Sequence, residues 1–217
     1  MKKDISPAVI NRLPRYYRYL GDLKAREVIR ISSRELSERM HVTASQIRQD
    51  LNCFGGFGQQ GYGYNVAMLY DEVGKILGLD KTYNLIVIGA GNLGRTIANY
   101  QGFEDKGFFV RALFDKDSKK IGKKVRGIDV LSMDKIEDYL KENKVDIAVI
   151  TIPKESAKKV ASQLTANGIK AIWNFAHTDL RLPADVHVQN VHLIEGLMHL
   201  SYQLTTDELE GNTSDEA

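Results

Sequence analysis

The stretch NLIVIGAGNLGRTIANY, residues 84–100, decides how the second half of this chain folds. Its first residues read as a buried strand, Gly89, Gly91 and Gly94 follow as G-x-G-x-x-G, and RTIANY continues as a helix. In that setting each glycine has a task. Gly89 permits the tight turn, Gly91 lets a pyrophosphate approach the backbone, and Gly94 lets helix and strand pack closely. The amides that open the helix, at Ala90, Asn92 and Leu93, are expected to face the phosphates. The next strand-like run, VRALFD, ends in Asp115, twenty-one positions after Gly94, the spacing of an acid that bonds the adenosine ribose hydroxyls. A carboxylate there repels a 2′-phosphate and favours NADH and NAD⁺ over their phosphorylated forms, although Lys116 and Lys120 lie close by. The competing reading is a glycine turn followed by a surface aspartate.

Outward from this motif the pattern continues. After Lys81, the short apolar runs LIVIG, VRALFD, DIAVITIP and KAIWNF alternate with helix-like stretches, as βαβ units on a parallel sheet do. Ligand contacts are expected at the carboxyl ends of such strands. This points to Thr151 and Pro153, to Asn174 and Phe175, and to Tyr100 at the end of the fingerprint helix. Pro153 equally suits a helix start, and Phe175 a core position.

Before residue 80 the apolar spacing is helical, and a boundary is expected in GLDKTYN, residues 78–84. Ser32 with Glu35, and Thr43 with Gln46, read as two capping boxes, so two short helices meet across Met40, His41 and Val42. That is helix-turn-helix spacing, whose second helix can enter the major groove. Ile47 and Leu51 point inward, leaving Ser45, Gln46, Arg48 and Gln49 as reading residues. Arg48 suits a guanine edge and the glutamines adenine. A helical hairpin with a solvated face fits the same residues. FGGFGQQGYGYN, residues 54–65, then mixes five glycines with aromatics, which suits a wing whose Gln59, Gln60 and Gly61 reach the minor groove. A surface loop is the alternative, though Phe57, Tyr62 and Tyr64 would be costly to expose.

Charge agrees with this division. Residues 1–48 carry eleven lysines and arginines against five acids, a local charge of +6 on a chain whose formal net charge is only +2. The C-terminal end is acidic, with no Lys or Arg after Arg181. A basic head suggests a polyanion, with an acidic frayed tail. No apolar run approaches the roughly 20 residues of a membrane span, and the start lacks the apolar stretch of a secretion signal. The single cysteine, Cys53, excludes an intramolecular disulfide and a cysteine-only metal site. A cytoplasmic protein without membrane or metal is expected.

A dehydrogenase would need a proton-transfer group and a substrate-orienting surface, commonly a second domain. His177, His187, His192 and His199 form no recognisable acid-base constellation, and the chain after Asp115 suffices only to complete the sheet and add one helix. No catalytic residue is expected.

RLPRYYRYL, RISSRELSERMHVTASQIRQDLNCFGGFGQQGYGYNV, VIGAGNLG, LFDKD, TIP and WNFA, in this order over nearly the whole chain, resemble the Rex redox-sensing transcriptional repressors. The resemblance implies an α/β Rossmann nucleotide-binding domain preceded by a mostly α winged-helix DNA-binding domain. It implies a homodimer on a palindromic operator in double-stranded DNA, sensing the NADH/NAD⁺ ratio and released by NADH. The expected organisation is a winged helix-turn-helix over 1–80, a Rossmann domain over 81–192, a helix exchanged between subunits over 193–207 and an acidic tail over 208–217. Two features depart from the family pattern. His192 stands where many relatives have an acid, one that could pair with Arg18 or stabilise the nicotinamide cation. Gln49 and Gln60 stand where some carry Lys or Arg. A small NAD-dependent oxidoreductase, and a DNA-binding regulator sensing another nucleotide such as a coenzyme A derivative, are the alternatives.

Overall fold

The computed structural model describes residues 5–59 and 62–214, excepting the side chains of 58, 59 and 207–214. The chain forms two compact units, residues 1–81 and 82–217.

The first unit opens with α1 (Pro7–Ala25), whose start is fixed by Pro7 in the first turn and by the Ser6 hydroxyl accepting from the Ala8 amide. β1 (Arg30–Ile31), α2 (Ser33–Met40), α3 (Ala44–Asn52), β2 (Gly58–Gln59), β3 (Gly63–Asn65) and α4 (Val66–Ile76) follow. The strands form a small antiparallel sheet in the order β1-β3-β2. Leu13, Tyr16 and Leu20 of α1 recur at helical spacing and pack with Leu36, Met40, Ile47, Leu51, Leu69 and Val73 in one core. Tyr17 and Tyr70 stack across α1 and α4 with ring centroids 4.3 Å apart.

The second unit contains β4 (Tyr83–Ile88), α5 (Asn92–Asn99), β5 (Phe108–Asp115), the hairpin β6 (Lys124–Val125) and β7 (Ile128–Ser132), α6 (Ile136–Glu142), β8 (Ile147–Ile150), α7 (Lys154–Ala166), β9 (Ala171–Asn174), β10 (His187–Asn190) and α8 (Leu193–Ser214). The sheet runs β10-β9-β8-β4-β5-β7-β6, and only the β6–β7 pair is antiparallel. Leaving out β6 and counting the parallel strands in chain order gives the doubly wound arrangement 3-2-1-4-5-6, read from the β7 side. Period-2 alternation along β4 sends Ile86 and Ile88 to one face, against Ala157, Ala161 and Leu164 of α7 and Ile136 of α6. Leu85 and Val87 go to the other face, against Ile97 and Ala98 of α5. Both faces being covered, residues 85–88 of β4 and the whole of β8 (Ile147–Ile150) are apolar throughout.

α8 continues to Ser214, past residue 207 where the sequence suggests that the exchanged helix gives way to an acidic tail. No proline interrupts it, and its glutamates are good helix formers. Among the described residues, no helix is long and apolar enough to cross a membrane, and no group of three His, Cys, Asp or Glu is placed to hold a metal.

Candidate DNA interface and dinucleotide cleft

In the first unit, two helix starts position the reader. Ser32 and Glu35 exchange hydrogen bonds as a reciprocal capping box: the Ser32 amide donates to Glu35 Oε2 at 2.8 Å and the Glu35 amide to Ser32 Oγ at 3.1 Å. His41, at φ 52°, closes α2 in the left-handed conformation and turns the chain sharply into α3. At α3 the expected second box is only half made. Thr43 Oγ1 accepts from the Gln46 amide at 3.1 Å, but the Gln46 side chain donates to Asp50 Oδ1 at 2.8 Å instead of returning to Thr43. A buried carboxylate gains more from a donor than an exposed amide gains from an acceptor.

Ser45, Arg48 and Gln49 are exposed on α3, and Gln46 is half-buried. Arg48 Nη1 donates to Ser33 Oγ at 3.0 Å, which holds the guanidinium across the start of α2. Behind the wing, Phe54 and Phe57 pack on the core and Tyr64 is buried, whereas Tyr62 is exposed, contrary to the sequence expectation. The Arg30 guanidinium lies 5.7 Å from the Tyr62 ring centre and bonds its carbonyl, so a cation covers the ring in place of apolar packing. Gln59 lies in β2; its side chain, Gln60 and Gly61 fall outside the described residues. Arg18 is exposed, its guanidinium 5.2 Å from the Tyr19 ring centre.

In the second unit, the carboxyl ends of β4, β5 and β8 open into a cleft of about 890 Å³. Gly89, Gly91, Asp115, Thr151 and Pro153 line it together with Lys116, Asp117, Lys120, Met133 and Lys159. The glycine turn tolerates no larger residue at two points. Gly89 sits at φ +101°, and a Cβ on Gly94 would lie 1.9 Å from the Gly89 carbonyl oxygen. Thr151 Oγ1 donates to the carbonyls of Ile88 and Gly89 at 2.9 and 3.0 Å, fastening the turn from the neighbouring strand. Gly91 caps α5, with Asn92 and Leu93 in its first turn, so the helix N-terminus opens beside the turn. Ala90, in the turn itself, is buried.

Asp115 is buried at the end of β5. Its Oδ2 accepts the Ala90 amide at 2.8 Å and Lys120 Nζ at 3.0 Å, and its Oδ1 accepts the Asp117 amide at 2.9 Å. Burial pushes the carboxyl upward, but the Asp117 amide, Lys120 and the Ala90 amide outweigh it and hold the pKa below the ordinary aspartate value. Asp115 is therefore a fixed carboxylate with one oxygen only partly used.

Asn174, Phe175 and Tyr100 do not line this cleft. Asn174 is fully buried, and its amide is spent on the Ala176 and Thr178 carbonyls, on Asn190 Oδ1 and on the Ala176 amide. It closes the turn after β9, a use that strand-end position alone does not reveal. Phe175 tilts against Trp173, which meets Phe103 edge-on, and exposed Tyr100 packs on Phe103. These aromatics form a row on the α5 face of the sheet. His192, directly before α8, is half-buried; its Nδ1 has no hydrogen-bond partner and its ring lies edge-on to His177 at 5.1 Å. The residues that sequence reading passed over are Arg12, Tyr16 and Asp50. The signal was an acid on the inward side of the second reader helix, facing an Arg and a Tyr one turn apart on α1.

A winged helix-turn-helix joined to a doubly wound dinucleotide-binding sheet defines a DNA-binding regulator with a built-in nucleotide sensor. The chain belongs to the Rex family of redox-sensing transcriptional repressors. It is 57% identical over 208 residues to the redox-sensing transcriptional repressor Rex of Thermoanaerobacter pseudethanolicus, covering 96% of this chain and 93% of that one. It is 58% identical over 200 residues to the Rex of Clostridioides difficile, covering 92% and 95%. Two solved structures of RSP, a Rex-family repressor, match closely. The complex with β-NAD⁺ and operator DNA has TM-score 0.91 and 55% identity over 100% of both chains, and the complex with β-NADH has 0.90 and 53% over 97% and 99%. Two family models also match, "Putative DNA-binding protein N-terminus" over residues 4–52 and "CoA binding domain" over residues 80–178.

Proposed function

We propose that this protein is a cytoplasmic homodimeric repressor that binds a palindromic operator through its winged helices and leaves it when NADH occupies the cleft. The observation that carries this reading is the pairing, in one chain, of an exposed recognition-helix face with a cleft built on a glycine turn and the buried carboxylate of Asp115. In this reading Ser45, Gln46, Arg48 and Gln49 meet base edges and phosphates in the major groove, and Gln59, Gln60 and Gly61 the minor groove. The turn from Gly89 through Ala90, Gly91, Asn92 and Leu93 to Gly94 cradles the pyrophosphate, Asp115 takes a ribose hydroxyl, and Thr151 and Pro153 wall the cleft. A second subunit covers the apolar side of α8, where Leu193, Leu197, Met198 and Leu204 are otherwise exposed to water. Arg18 and His192 belong to the coupling between cofactor and DNA, and with His192 in place of an acid that coupling lacks a carboxylate.

NADH can drive release only by binding one dimer geometry better than the other. The similar repressor RSP forms a complex with NAD⁺ and operator DNA together, which supports NAD⁺ as the species compatible with DNA. The decisive experiment is operator binding titrated with NADH and then NAD⁺ at one salt concentration, with release expected from NADH only. Equal effects of both would overturn the redox reading. The match to a coenzyme A-binding family model favours one other ligand, and the same titration with coenzyme A tests it.

A further inference from the structure

Asp50 is the one charged side chain of α3 with no exposed surface. An ionised carboxylate offers about four acceptor sites. Here four donors fill them: Arg12 Nε and the Tyr16 hydroxyl reach Oδ2 at 2.6 and 2.8 Å, and Arg12 Nη2 and Gln46 Nε2 reach Oδ1, both at 2.8 Å. Burial raises the Asp50 pKa, but the bonds from Arg12, Tyr16 and Gln46 outweigh it, so the group is ionised at neutral pH. Being ionised, it can only accept. The Gln46 amide must therefore turn its nitrogen, not its oxygen, toward Asp50.

That choice has a consequence for reading DNA. Of the two Gln46 N–H donors one is spent on Asp50, which leaves Oε1 and the second N–H as an adjacent acceptor and donor. Adenine presents the complement in the major groove, the N6 amino group and N7. Gln46 is in the first turn of α3, the part of a recognition helix that meets base edges. A buried ion pair adds little over apolar packing, so stability alone does not account for this one.

We infer that Asp50, held by Arg12 and Tyr16, is a positioning residue that fixes the orientation of the Gln46 amide and thereby makes Gln46 a reader of adenine. The inference rests on the DNA-binding reading above. A free glutamine would adopt either amide orientation and lose side-chain freedom on binding, whereas a clamped one presents a single edge in advance.

The test uses the full-length protein and a duplex that it selects from a randomised library. Every single base-pair variant of one half-site is then titrated with the parent, Gln46→Ala, Asp50→Asn, Tyr16→Phe and Arg12→Lys. The parent is expected to prefer adenine at one base pair by on the order of tenfold or more. Gln46→Ala and Asp50→Asn should both lose that preference at that base pair and keep the rest of the profile. Tyr16→Phe, which leaves the Asp50 charge and the Gln46 contact, should retain it. If melts without DNA show that Asp50→Asn does not fold, Arg12→Lys carries the test, because it keeps the charge but gives up the two-pronged grip; a weakened preference at the same base pair is expected. Uniform weakening across all base pairs in both Asp50→Asn and Arg12→Lys would make the network purely structural and overturn the inference. So would a Gln46→Ala profile identical to the parent's. A parent that selects no sequence at all would instead sink the DNA-binding reading itself.

Discussion

Lys120 sets its ammonium 3.0 Å from Asp115 Oδ2, the same oxygen that accepts the Ala90 amide of the glycine turn. The acid that should repel a 2′-phosphate is thus partly neutralised by its own neighbour, with Lys116 and Lys159 also on the cleft wall. Lys120→Met is expected to weaken NADPH binding more than NADH binding, raising the ratio of their dissociation constants by about 3- to 10-fold, as a partly exposed charge pair of roughly 1 kcal/mol implies. Asp115→Asn should lower the ratio. Calorimetric titration of both cofactors decides it; a Lys120→Met ratio equal to the parent's removes Lys120 from cofactor choice.

Gly94→Ala should abolish cofactor binding and spare the reader. Its Cβ would sit 1.9 Å from the Gly89 carbonyl oxygen, a rigid backbone atom, so the turn must shift at a cost of about 1–3 kcal/mol or more. The expected protein binds operator but no longer responds to NADH. Retention of NADH affinity within twofold would mean that the turn relaxes freely.

The Asp50 network should make the reader acid-sensitive. Because the folded carboxyl pKa is depressed, the network's contribution is fully present above the unfolded aspartate value of about 3.9 and fades as pH falls through the lower folded value. Asp50→Asn should flatten this dependence and, near pH 7, cost about 1–3 kcal/mol by weakening the bonds from Arg12 and Tyr16. Denaturant melts of parent and variant from pH 3 to 7 give the answer, and parallel curves would refute the assignment.

Removing the chain from Leu193 onward is expected to yield a monomer whose DNA binding no longer responds to NADH. Sedimentation and operator titration together check this. A truncated protein that stays dimeric and still leaves DNA on NADH addition places the switch outside α8.

Truncating Arg48 to Ala should cost about 1–3 kcal/mol in operator affinity and relax specificity at one base pair per half-site. A loss spread evenly over all sequences would assign Arg48 to phosphate.

Sequence alone determined the elements whose physics is local. The glycine turn follows from steric demands on three backbone positions, and the α2 cap from residues three apart. The βαβ alternation follows from apolar periodicity, and the place of Asp115 at the end of β5 from a fixed spacing along one βαβ unit. Tertiary structure decided whatever depends on partners distant in the chain. Asn174 looked available at a strand end, yet Asn190, sixteen residues on, takes part of its amide. Gln46 looked like half of a capping box until Asp50, itself drawn inward by Arg12 and Tyr16 from thirty-eight and thirty-four residues away, claimed its side chain. Lys116 and Lys120 both stood close to Asp115 in sequence, and the turn after β5 brings the Lys120 ammonium onto the carboxylate. Side-chain hydrogen-bond capacity is finite, and which partner receives it is settled by burial and proximity, which spacing along the chain does not encode.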